Sequence, residues 1–400
     1  MHDAEAIVVG AGPAGSTFAT ALAEAGRRVL LLDKAHFPRH KACSDYVNPA
    51  ATVLLDEMGV LDEARRLGAS RMDGMIVHAP NGSRFTAHYT KAEPGRAATG
   101  LSRIHLDNLL LERAKACGVT VIERAHVREI VRDGDRVHGV VATIDGTREE
   151  LRAPLVVGAD GRHSVVAREL GLSQPLRWPH KTGLATHYRD VTGLERFGEM
   201  HIGHGVYAGL AIIENGLVNL TIVNRTGDVQ DRDGSLEDFF AGMVQRLPEM
   251  ARKLDGAERV GGIRGVGPMG VRSRRVAGDS YLLIGDAAAF LDPFAGEGVY
   301  EALRAGLLAA PIASEALKAG DTSADTLDAY RIARRRTFTA KRTVSWLVQA
   351  FVNTPPAMNY VTPRLASRED LGLTMAGVLG GFQPPARVLS PVFLARMLRP

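Results

Sequence analysis

Cysteine is scarce in this chain: Cys43 and Cys117 are the only two among 400 residues. Two thiols make no disulfide framework, so a reducing compartment and a cytoplasmic location are expected. Long apolar runs are also missing. No segment reaches about 18 uninterrupted apolar residues, so no membrane span is predicted. The opening MHDAEAIVVG has no basic stretch ahead of an apolar one, so no signal peptide is expected. Charge of either sign is nearly balanced. A net charge of +4 is too small to argue for nucleic acid, although it suits anionic cofactors. Repeats and low-complexity tracts are absent.

Glycine, by contrast, is abundant, with 43 residues. That suits an α/β protein with tight turns near a ligand. The first 35 residues show what the glycines do. An apolar run, Ala6–Val9, leads into Gly10-x-Gly12-x-x-Gly15, with Pro13 and Ala14 inside the turn. A small-residue helix follows, with Ala19, Leu22 and Ala23 on one face. A second apolar run, Val29–Leu32, ends at Asp33 and Lys34. This is the order of a dinucleotide-binding βαβ unit. Gly10 permits the turn, Gly12 lets backbone approach a pyrophosphate, and Gly15 lets the helix sit close to the sheet. The helix N-terminus offers free N–H groups to phosphates, and Asp33 can accept hydrogen bonds from ribose hydroxyls.

Two later segments end an apolar run in the same way. Leu155–Val157 leads into Gly158-Ala159-Asp160-Gly161, and SYLLIGDAAAF places Gly285-Asp286 after its run. The carboxyl ends of such strands are where α/β sheets bind ligands. Between them, residues 101–119 keep a 3.6-residue period through Leu106, Leu109, Leu110 and Ala114. Arg103 stands at the start of that helix. A cation there gains nothing from the helix dipole, so either a surface role or a phosphate contact accounts for it.

These four motifs, in this order over roughly residues 5–320, resemble the FAD-dependent geranylgeranyl reductase and aromatic hydroxylase superfamily. The resemblance implies a glutathione-reductase-type, Rossmann-like α/β FAD domain. It also implies an antiparallel β-sheet substrate domain and a helical C-terminal segment. It places Asp286 on the ribityl chain or ribose and Arg103 on the pyrophosphate side. Asp160 and Gly161 fall near the pyrophosphate and the path of a reduced nicotinamide. The stretch Pro293, Gly296, Glu297, Gly298 and Val299 falls beside the ring, with a helix starting near Gly296 aimed at the flavin N1/O2 edge. NADH or NADPH is the implied reductant.

Branch features pull both ways. Ala289 stands where the classical phenol hydroxylases commonly carry histidine. GEGVYEALRAG and FPRHKACSDYVNP, with Lys41-Ala42-Cys43, resemble the reductase branch, whose matching cysteine lies close to the flavin. Ser44 replaces the usual glycine there. The Trp- and Phe-Pro-containing strand of the reductases is missing from residues 205–223. The Trp-x-Trp-x-Ile-Pro element of flavin halogenases is missing as well. Two enzyme readings follow. The first is a monooxygenase that hydroxylates a hydrophobic aromatic or polyketide-type molecule through a flavin C4a-hydroperoxide. The second is a reductase that saturates isoprenoid C=C bonds, with Cys43, Asp45 or Tyr46 helping to protonate. The first is preferred. A non-catalytic flavin module is disfavoured by the presence of a whole substrate domain.

The rest of the chain is assigned around that core. Residues 1–70, 100–175 and 270–324 are expected to form the FAD domain. Residues 71–99 and 176–269 are expected to form the substrate domain, with a hairpin closed at Asn81-Gly82 and one helix over 235–254. Residues 325–352 read as a long helix whose six basic residues in 331–342 form a solvated face; a membrane-surface or NADPH-docking role ranks second. The apolar C-terminal 45 residues are expected to cover the pocket mouth or meet a membrane surface. His187, His201 and His204 have no convincing metal spacing and read as sheet residues or pocket lining, so no metal is assigned.

Overall fold

The structure is a computed structural model that describes residues 4–176, 178, 180–291, 294 and 296–399. Two sheets organise it. The first has six strands in the order 277–278, 281–283, 155–158, 6–9, 29–32 and 120–122. Ala6 pairs in parallel with both Leu155 and Val29, and only the 277–278 edge runs antiparallel. The strands Ala6–Val9, Val29–Leu32 and Leu155–Gly158 are buried throughout. That is why they read as unbroken apolar runs: helices cover both faces of a parallel sheet.

Helix Pro13–Glu24 packs on this sheet and against helix Gly298–Ala319. The two backbones approach very closely. A Cβ on Gly306 would lie 2.9 Å from both Ala14 O and Phe18 N. The alanines Ala305, Ala309 and Ala313 complete that buried face.

The second sheet has seven strands in the order 258–266, 181–189, 218–225, 206–212, 197–202, 74–78 and 84–88. The expected hairpin is present: Gly74–His78 and Arg84–His88 pair antiparallel, and Gly82 takes φ +82° in the connection. One face packs on Leu236–Gln245 and Pro248–Lys253, with Phe240 and Met250 buried. The sequence reading had one helix here. The segment is split at Pro248, which starts the second helix because its ring cannot continue the first.

The other face of the seven-stranded sheet receives the C-terminal helices. Ala324–Val352 is one 29-residue helix with Ser323 at its N-cap. Pro355–Ser367, Glu369–Leu379, Ala386–Leu389 and Pro391–Leu398 follow. Their apolar side chains form one cluster with Met75, Val77, Met200 and Tyr207 of the sheet. No helix among the described residues is long and apolar enough to cross a membrane.

Candidate functional site

Three strand ends of the parallel sheet meet through glycine. Gly10 takes φ +103°, and a Cβ there would stand 2.5 Å from Ala159 O. A Cβ on Gly15 would collide with the Gly10 carbonyl, and one on Gly285 would come within 2.8 Å of the Ala14 Cβ. The turns at 10–15, 159–161 and 285–286 therefore wall one crevice with bare backbone. Pro13 is the first residue of the helix that Gly12 caps, so the free N–H groups of its first turn face this crevice.

Charged side chains surround it. Asp33 is buried, its Oδ2 accepting from Ala11 N at 2.7 Å and its Oδ1 from Ala35 N at 2.8 Å. Each oxygen keeps a lone pair for a ribose hydroxyl. The neighbouring Lys34 is exposed. Asp160 Oδ2 accepts from Val165 N at 2.6 Å, whereas its buried Oδ1 has no hydrogen-bond partner. Burial raises the Asp160 and Asp286 carboxyls above the usual aspartate range, and Lys41 and Arg103 oppose the shift at Asp286.

Arg103 stands at the helix start, as expected, and also has a carboxylate partner of its own. It is the first residue of helix Arg103–Ala116, and its guanidinium clamps Asp107 at 2.6 and 2.7 Å. Asp107 has no exposure and is shared with Arg39 at 2.9 Å. Desolvation opposes ionisation on both sides. The Arg103–Asp107 contact nevertheless keeps Asp107 below, and Arg103 above, their ordinary values. Arg39, absent from the sequence reading, carries the cation that faces the turn: its Nη2 would be 3.7 Å from a Cβ on Gly12. Lys41 Nζ lies 3.9 Å from the equivalent point on Gly161. Desolvation and then the Arg103 charge pull its ammonium below the usual lysine value.

A small polar pocket adjoins the crevice, lined among others by Ala42, Cys43, Asp45, His187 and Arg264. Asp45 takes φ +52°, a left-handed conformation that aspartate tolerates. Its Oδ2 meets His187 Nε2 and Asn219 Nδ2, both at 2.8 Å, and its Oδ1 accepts from Arg103 N at 3.1 Å. The Cys43 carbonyl accepts from Asn219 Nδ2 at 2.9 Å. Burial and the Asp45 charge push the Cys43 thiol up, with Arg103 opposing, so it stays protonated. Burial also raises Asp45, against His187 and Asn219. His187 therefore lines a pocket, the lesser of its two sequence readings.

Tyr46 is buried, and its hydroxyl lies 2.8 Å from that of Tyr89. A Cβ on Gly296 would strike its ring at 2.5 Å. Burial holds the phenol well above its usual value, and the ring forms a wall between crevice and apolar cluster. The helix expected from Gly296 begins at Gly298, with Glu297 as N-cap. Glu297 Oε2 accepts from Ser345 Oγ at 3.0 Å, and Oε1 lies 3.4 Å from Lys341 Nζ. Burial raises this carboxyl too. Gly298 is exposed, while the Val299 side chain belongs to a core with Leu55, Leu106 and Leu303, leaving only its backbone for a ligand. Pro293 lies outside the described residues.

His201 does acquire neighbours that its spacing did not announce. Its Nε2 is 2.9 Å from Glu199 Oε2, and its ring stacks on His78 at 4.3 Å across a parallel strand pair. Lys253 Nζ sits 2.8 Å from Glu199 Oε1 and already supplies a positive charge. His204 is exposed and stands apart.

The crevice fits a flavin dinucleotide: backbone cleared for a pyrophosphate, a carboxylate for ribose, and an orphaned buried acceptor at Asp160. The similarities agree. The FAD binding domain family matches residues 3–345. Digeranylgeranylglycerophospholipid reductase 2 of Methanopyrus kandleri is 30% identical over 340 residues, spanning 82% of this chain and 81% of that protein. The 6-methylpretetramide 4-monooxygenase of Streptomyces rimosus is 29% identical over 360 residues, spanning 86% and 82%. The flavin-dependent brominase Bmp2 shares the fold with a TM-score of 0.82 at 20% identity, over 99% of this chain and 100% of that one. The glycine crevice has the features such a cofactor needs, and the chain belongs to the FAD binding domain family of flavin-dependent oxidoreductases.

Proposed function

We propose that this protein is a monooxygenase that hydroxylates a hydrophobic aromatic or polyketide-type molecule, with NADH or NADPH as reductant. One observation carries the reading. An apolar cavity of about 80 Å³ lies between the inner face of the seven-stranded sheet and the C-terminal helices. Its lining, including Val77, Phe294, Val348, Phe351 and Met375, is apolar except for Thr362. Such a lining binds apolar surface and excludes water, which oxygen chemistry at a flavin requires.

FAD, when bound, supplies the two-electron redox chemistry and the activation of oxygen. Gly10, Gly12, Ala14 and Gly15 admit its pyrophosphate, with Arg39 and Lys41 as countercharges. Asp33 would hold a ribose and Asp286 the sugar chain. Phe294, edge-on to Tyr207 at 5.2 Å, joins the flavin-side segment to the cavity.

A second reading, C=C reduction, draws on the polar pocket. Saturation needs a proton for the carbon that does not receive hydride. The protonated Cys43 thiol and the Asp45–His187 pair are proton sources on the crevice side of that pocket. Turnover of candidate substrates with NADPH, with and without oxygen, separates the two. Product formation that persists anaerobically overturns hydroxylation. A product carrying one oxygen atom from labelled O2 supports it.

A further inference from the structure

The basic stretch of the long helix does not face open solvent alone. Arg331, Arg334, Arg335 and Arg342 line a groove of about 400 Å³, and Arg274 and Arg275 close it from the other side, beside the edge strand Ala277–Gly278. Six arginines thus face two aspartates, Asp325 and Asp328. The groove shares no lining residue with the apolar cavity or the polar pocket.

Three of these arginines have partners. Arg331 is held by Asp328 at 2.5 and 2.8 Å, Arg342 reaches Glu301 at 3.3 Å, and Arg274 meets the Gln174 side-chain oxygen at 2.7 Å. Arg275, Arg334 and Arg335 form no ion pair among the described residues. Arg334 is the telling one. It is only 8% exposed, its Nε has no hydrogen-bond partner, and it faces aromatic Phe338 at 5.6 Å rather than a carboxylate. Tyr330 and the Glu301 carboxylate, which Arg342 also holds, offset its burial only in part, and an anion in the groove would offset the rest.

We propose that this groove is a binding site for a phosphate-bearing anion, held by Arg334 from below and by Arg275 and Arg335 from its two walls. Guanidinium forks arriving from separate elements suit a tetrahedral dianion with several acceptor oxygens better than a single planar carboxylate. The volume leaves room for more than one phosphate. On the helix, Arg331 and Arg342 are separated by about 16 Å of axial rise, the length of an extended phosphorylated molecule rather than of one ion.

The test is calorimetric titration of the FAD-loaded full chain with pyrophosphate. With FAD in place, the glycine crevice is filled and cannot answer for the groove. Wild type is expected to bind, more weakly as salt rises. The double variant Arg275→Glu/Arg335→Glu, at two exposed positions, is expected to lose affinity by about tenfold or more. Arg148→Glu, on a distant exposed strand, is expected to bind as wild type does. Arg334→Ala adds a buried test, read beside its thermal midpoint without ligand. The source of the phosphate is read by competition. Displacement of pyrophosphate by NADP+ but not NAD+ assigns a soluble nucleotide phosphate. Displacement by phosphatidylglycerol vesicles but not phosphatidylcholine vesicles assigns a lipid headgroup. No binding by wild type, or equal binding by wild type and the double variant, overturns the proposal.

Discussion

Asp45 and His187, 142 residues apart, meet at 2.8 Å between Oδ2 and Nε2. The pair joins the loop that follows strand Val29–Leu32 to the seven-stranded sheet, beside Cys43. If C=C reduction is the reaction, Cys43→Ala and His187→Gln each lower kcat by about tenfold to a thousandfold while FAD content is unchanged. If hydroxylation is the reaction, Cys43→Ala has a modest effect. Steady-state kinetics on flavin-matched preparations read the difference.

Gly15→Ala drives a Cβ into the Gly10 carbonyl, and Asp286→Ala removes a carboxylate from the crevice. Both variants are expected to purify with little or no flavin. A yellow Asp286→Ala protein at full occupancy would count against the assigned FAD contacts. Absorbance against protein concentration is the measurement.

Arg103→Ala leaves Asp107 buried with Arg39 as its remaining close cation. Removing one partner of a buried ion pair costs about 3–5 kcal/mol. Chemical denaturation of the flavin-loaded protein is expected to show a loss of that size. Arg103→Lys, which cannot reproduce the bidentate fork, recovers only part of it.

Val348→Trp fills part of the apolar cavity and is expected to shorten the largest substrate accepted, with FAD content unchanged. Phe351→Ala is expected to do the reverse. A panel of substrates differing only in apolar length reads both. Equal effects on every member of the panel would remove this cavity from the substrate path.

His78 makes stability depend on acidity. Burial, with the neighbouring His201 charge, lowers its imidazole from 6.5 to about 4. Between those values the unfolded chain binds a proton that the folded one refuses, so stability falls as pH drops from 6.5 toward 4. The loss reaches at most about 3 kcal/mol. His78→Gln is expected to flatten that part of the profile in urea melts at stepped pH; an unchanged slope would assign the effect elsewhere.

What the sequence disclosed follows from range. Ala6–Val9 and Val29–Leu32 were legible to the residue because a buried parallel strand writes itself as a short apolar run. Gly10, Gly15 and Asp33 were legible because their spacing is the turn. Asp45 with His187, and His201 with His78, were not, since each pair joins distant segments, the first a loop to a sheet and the second two strands in register. Arg39 carried a nearer signal: it precedes Lys41 by two residues in the segment that returns over the Gly12 turn. The break at Pro248 was written in the chain but was outweighed by the apolar period around it. The partner of the C-terminal helices was hidden, because an apolar helix face does not say which sheet it covers.

The C-terminal helices have one more consequence. The cofactor crevice is built before residue 300, whereas much of the apolar cavity's wall comes from residues 344–397. On the proposed function, shape selection and electron chemistry would be carried by separate stretches of polypeptide. Drift or recombination in the last sixty residues can exchange one hydrophobic substrate for another while the flavin half stays as it is, so a chain of this design can change clients without relearning its chemistry.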